Sequence, residues 1–79
     1  MIKKQHFDIT LAWDRANAVW FVEQSDLPGL CVEAPTLDAM RDIIHDLAPD
    51  LLETNVPVKQ RDWPLHIQHV MEPRRNRAA

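Results

Sequence analysis

The sequence predicts an α+β fold: an antiparallel β-β-β-α-β chain whose three- or four-stranded sheet carries one helix packed on one face. Three observations carry this expectation. Val19 to Gln24 is a dense run of β-branched and aromatic residues, and it stops at Ser25-Asp26-Leu27-Pro28-Gly29, which is turn chemistry. Gln5 to Trp13, ahead of it, alternates apolar and polar side chains as a half-buried strand does. After Ala34-Pro35 the apolar period changes from two to about 3.6, the signature of a helix.

In the first strand Phe7, Ile9, Leu11 and Trp13 share one face, against His6, Asp8, Thr10 and Ala12 on the other. Asp14-Arg15-Ala16-Asn17 then makes the turn. Pairing Trp13 with Ala18 sets Leu11 opposite Trp20 and Ile9 opposite Val22. A five-residue second loop sets Val22 opposite Val32, Trp20 opposite Ala34 and Gln24 opposite Leu30. The two registers agree on a single apolar floor of Phe7, Ile9, Leu11, Trp20, Val22, Leu30, Val32 and Ala34.

Leu37, Met40, Ile43, Ile44, Leu47, Leu51 and Leu52 follow at helical spacing. Thr36 is the natural N-cap, and Asp38 falls where the helix dipole favours negative charge. Pro49 has no N–H for the carbonyl of His45, so a kink or a break is expected there, with the helix ending at Thr54-Asn55. Val56 to Asp62 reads as a polar loop, and Leu65 to Met71 as a fourth strand on the sheet edge. Residues 1–72 are expected to form one domain and residues 73–79 a disordered basic tail.

The chain has 79 residues, room for one domain with a thin core, so a homodimer or another partner is a natural source of added stability. Its single cysteine, Cys31, excludes an internal disulfide and a thiolate metal cluster within one chain. A formal charge of -3 lacks the basic footprint of a general nucleic-acid binder. No apolar run is long enough to span a bilayer, and Met1-Ile2-Lys3-Lys4 leads into no signal-type stretch, so a cytoplasmic location is expected.

Trp13-Asp14, Val19-Trp20, the Ser25-Asp26-Leu27-Pro28-Gly29-Leu30 turn, the Glu33-Ala34 and Thr36-Leu37 helix entry and the Ala48-Pro49-Asp50-Leu51-Leu52-Glu53 helix end follow one another in fixed order. As a set they resemble HicB-like proteins, in particular their short, stand-alone branch, a domain of unknown function. The resemblance runs from about Phe7 to Asn55. It implies a fold like a partial double-stranded-RNA-binding domain, used as the antitoxin of a toxin-antitoxin pair whose toxin is a small HicA-type RNase. Such antitoxins carry a further DNA-binding segment. Only 24 residues follow Asn55, too few for that segment beside a closing strand, so direct DNA binding is not expected.

Asp38, Asp42, Asp46 and Asp50 fall at successive i, i+4 positions and form a ridge down the helix. Like charges so spaced cost about 0.2–0.5 kcal/mol per pair in an isolated helix. Arg41 and His45 lie beside them, which fits an ordinary solvated face. The other reading is an acidic strip, Asp38, Asp42 and Asp46, complementary to a basic, phosphate-gripping RNase. Val19 and Phe21 project from the face that the helix leaves open, where they serve as a partner contact, a homodimer contact or scattered surface apolars.

The expectation is thus a binding protein with no catalytic residue, cofactor or metal. His66 and His69 point to opposite faces of a strand, and His6 and His45 belong to different elements, so the histidines make no metal site on this pattern. Asp8, Glu23 and Glu33 share the outer face and supply a minor alternative, a degenerate metal-dependent nuclease. Another is an orphan homo-oligomeric interaction module without a toxin. Trp13 and Trp20 read as core rather than as a base-stacking platform, and Arg74, Arg75 and Arg77 as a solvated basic end.

Overall fold

The structure, a computed structural model, describes residues 5–71. In chain order its elements are β1 (Phe7–Asp14), β2 (Val19–Ser25), β3 (Glu33–Ala34), α1 (Leu37–Asn55), a 3-10 turn (Val58–Gln60) and β4 (Leu65–Val70). The strands form one sheet in the order β3-β2-β1-β4, and α1 packs on one face of it. This is the expected α+β class, with the fourth strand at the edge.

The sheet is mixed, whereas the sequence pattern suggested antiparallel pairing throughout. β1 and β2 pair antiparallel, as do β2 and β3, but β4 runs parallel to β1, with Phe7 opposite Leu65 and Ala12 opposite Val70. The helix is the cause. Three alternating strands leave β3 running in the direction of β1, α1 brings the chain back to where β1 begins, and β4 has to set out from that end.

The first hairpin is displaced by two residues from the expected register: Trp13 faces Trp20 and Leu11 faces Val22. Asp14 explains the shift. Its carboxylate accepts the N–H groups of Ala16 (3.1 Å) and Asn17 (3.2 Å) and the Asn17 side-chain amide (2.8 Å), which fixes the turn at residues 15–18 and extends the ladder to Asp14–Val19. Ala18 closes the turn at φ 53°, in the left-handed region. A slip of two keeps each side chain on its face. Farther along, the register changes between Thr10 and Leu11, leaving Glu23 as a bulged residue in β2.

The second hairpin keeps Trp20 opposite Ala34, but its ladder ends after Phe21–Glu33. The expected pairs of Val22 with Val32 and Gln24 with Leu30 are absent from it. Past the bulge, Leu27 turns inward to full burial and draws the connection off the ladder. A turn follows, with Leu30 N–H donating to the Leu27 carbonyl (3.4 Å) and Gly29 at φ 86°, the positive value that a Pro-Gly turn needs at its third position. The Asn55 side-chain amide donates to the Pro28 carbonyl (3.1 Å), pinning this turn to the end of the helix.

α1 starts as expected, with Thr36 Oγ1 accepting from Ala39 N–H at 3.0 Å and Asp38 in the first turn. It then runs through Pro49 to Asn55 as one helix, so of the kink or break expected there the break does not occur. Ala48 beside the proline is buried, Pro49 itself is exposed, and Leu51 and Leu52 pack beyond it, so tertiary contacts hold the last turns in place. Met40, Ile44, Ile9, Leu11, Trp20, Leu30 and Ala34 make the main core. Phe7, Leu27, Ala48 and Val56 make a second cluster at the helix C-terminal end, where Trp63 packs on it. Val56 therefore belongs to the core, although its segment reads as a polar loop.

Candidate functional site

Met40, Ile44 and Ala48 are the buried positions of α1 and define its inward face. Four residues advance a helix by one turn plus about 40°, so Asp38, Asp42, Asp46 and Asp50 follow a gently winding line on the opposite side. All four are exposed, and so are Arg41 and His45. Among the described residues no ion pair joins the four aspartates to a cation, and their charges meet water along the whole ridge. Arg41 instead borders a hollow between the helix and the sheet, together with Leu11, Leu37, Asp38, Ile67 and His69.

On the outer face of the sheet, Phe21, Ala12 and Val70 lie in one cross-strand row, with Glu33 at its β3 end. Ala12 is fully buried there because β1 is central and both neighbours rise above its small side chain. Val19 and Phe21 are half-buried. Exposed Cys31 borders a hollow next to Phe21, lined also by Leu30, Val32 and Glu33. The next row toward the start of β1 is polar, with the Gln68 amide donating to Thr10 Oγ1 at 2.9 Å.

The row after that brings three potential metal ligands together. The parallel ladder sets Asp8 opposite His66, and His6, two residues before Asp8, emerges on the same face. His6 Nε2 lies 3.0 Å from Asp8 Oδ1, and the His6 and His66 rings stack with centroids 4.1 Å apart and planes 21° apart. One ligand atom from each of the three residues falls within 4.8 Å of the other two. Of the carboxylates weighed for a nuclease, Glu33 sits in the row of Ala12, four residues along β1 from Asp8, and the three acids do not converge.

The sequence profile of DUF1902, a domain of unknown function, matches residues 6–77. The chain belongs to the DUF1902 family. Searches of the curated proteins and of the solved structures returned no match.

The DUF1902 match covers every strand, the helix, the acidic ridge, Val19 and Phe21, and the three clustered side chains. In this DUF1902 chain, sequence pattern places the ridge and the two outer-face apolar residues where the structure has them. It missed the meeting of His6 with His66, which depends on β4 lying parallel beside β1. One signal was present, since His6-Phe7-Asp8 has the i, i+2 spacing that puts two ligands on one strand face. Trp13 and Trp20 pack ring to ring (5.3 Å) against the main core, and Trp63 stacks at a tilt on Phe7 (5.6 Å). Arg74, Arg75 and Arg77 lie outside the described residues, as does the proposed tail as a whole. No helix among the described residues is long and apolar enough to cross a membrane.

Proposed function

We propose that this DUF1902 protein is a HicB-like antitoxin, which binds a small basic RNase of the HicA type and covers its RNA-binding and catalytic surface. The observation that carries this reading is the exposed ridge of Asp38, Asp42 and Asp46, unpaired among the described residues. An RNase must present Lys and Arg to grip phosphates, and a line of carboxylates can take the place of the polyanion while speeding encounter. Val19 and Phe21 add apolar contact on the other face, toward the toxin or toward a second copy of the chain. The role is that of a cytoplasmic binding protein and not of an enzyme.

The test is co-expression with an adjacent reading frame encoding a short basic protein, followed by growth assay and co-purification. Rescue of growth and a complex at low salt are expected. Joint Asp38→Asn, Asp42→Asn and Asp46→Asn replacement should slow association about tenfold or more at low salt, with the difference shrinking as salt rises. No rescue, together with no complex at low salt, would falsify the antitoxin reading. The second reading, a homo-oligomeric module without a toxin, draws on the half-buried Phe21–Ala12–Val70 row. It predicts a dimer in sedimentation that Phe21→Ser disrupts while the growth phenotype stays absent.

A further inference from the structure

We propose that His6, Asp8 and His66 form a site for a divalent transition-metal ion of the Zn²⁺ class, held by two imidazoles and one carboxylate on the outer face of the sheet. The site stands apart from the acidic ridge, which lies on the far side of the helix layer, and needs no toxin to exist.

The backbone of Asp8 and His66 is held within the sheet, and His6 stands one residue before β1. Asp8 and His66 are ladder partners, and Phe7 N–H, between His6 and Asp8 in the chain, donates to the Pro64 carbonyl at 2.9 Å. On the other flank Asp8 N–H donates to Asp26 Oδ2 at 2.9 Å, while Asp26 N–H returns a bond of the same length to the Asp8 carbonyl. One rung along, the Gln68–Thr10 side-chain bond ties β4 to β1 again. The Cα positions of Asp8 and His66 are therefore set by the fold, and His6 is tied to them through Phe7. A metal site on rigid strands loses little entropy when it closes.

The donor set decides the class of ion. Two imidazole nitrogens and one carboxylate suit Zn²⁺, Co²⁺, Ni²⁺ or Cu²⁺. Mg²⁺ and Ca²⁺ require six or more oxygen ligands, and a single carboxylate beside two imidazoles serves them poorly. His45 on the helix and His69 on the opposite face of β4 cannot reach the cluster, and Cys31 lies toward the β3 side of the sheet. With three protein ligands, a fourth position opens to water.

Closing on an ion asks for modest movement. Ligand atoms around a tetrahedral Zn²⁺ stand about 3.4 Å apart, and those of the three side chains all lie within 4.8 Å of one another, so no pair has more than about 1.4 Å to close. The stacked rings must also fan apart, since their in-plane lone pairs now run side by side. Both movements are rotations about the histidine side-chain bonds. His66 is exposed, and the His6 and Asp8 side chains keep 29% and 45% of their surface in solvent, so the rotation moves through water and not through packed core.

The experiment uses the untagged full chain, Zn²⁺ as probe, a chromophoric chelator as competitor and the ring-nitrogen resonances of all four histidines. One equivalent of Zn²⁺ should bind per chain, moving the ring nitrogens of His6 and His66 and leaving those of His45 and His69 in place. His66→Gln and Asp8→Asn should each weaken binding by at least about tenfold, and His45→Gln should not. Failure to take up stoichiometric Zn²⁺ at millimolar concentration overturns the proposal, as does binding that both replacements leave unchanged. Circular dichroism checks that the variants fold; if either unfolds, the ring-nitrogen titration of the native chain decides alone.

Discussion

Arg61 completes the C terminus of α1 from outside the helix. Its Nε donates to the carbonyls of Leu52 and Val56, both at 3.2 Å, and its Nη2 to that of Glu53 at 2.8 Å. No basic residue stands in the last turn of α1, so this guanidinium supplies the positive charge that the dipole favours there. Arg61→Ala should lower unfolding free energy by about 1–3 kcal/mol in urea titration. Arg61→Lys should recover little of it, because an ammonium lacks the planar fork that reaches three carbonyls. At the other end Thr36→Ala should cost about 1 kcal/mol. Thr36 was legible in the sequence because a cap acts over three residues. Arg61 was not, because its reach back over eight and nine residues depends on Val56 entering the core.

At the scale of elements, Pro49 and Glu23 show what tertiary contact does to local rules. α1 passes Pro49 unbroken while the carbonyl of His45 goes without its intrahelical N–H, a local cost that the burial of Ala48 and packing of Leu51 and Leu52 offset. Pro49→Ala should therefore stabilise the chain, by roughly 1–3 kcal/mol once the added freedom of the unfolded state is counted. A lower thermal midpoint for that variant would contradict this account. Which strand face turns inward was legible, since alternation survives a slip of two. The register was not, because it rests on the Asp14 carboxylate and on a bulge at Glu23 that alternation does not announce.

For the whole molecule, the core is small enough for one side chain to matter greatly. A chain of this length has a total stability of about 4–12 kcal/mol. Ile44 is fully buried in the main cluster, and Ile44→Ala should remove about 2–5 kcal/mol of it. Calorimetry should show the melting temperature falling by at least about 10 °C. The α+β class followed from periodicity alone, whereas the direction of β4 did not. Six alternating residues look alike whichever way they run, and only the path of the helix decides.

That shared direction of β1 and β4 gives the molecule two poles. The described chain enters the sheet beside His6 and leaves it at Met71, which borders a hollow with Asp38 and the start of α1. A strand of this length holds the poles roughly 20 Å apart. Anchoring the protein to a sensor surface through one pole would therefore leave the other presented to solution. Immobilised by its Met71 end it would crowd the head of the acidic line while offering the histidine pair, and by its His6 end the reverse, so the two orientations would separate a cation response from a protein response.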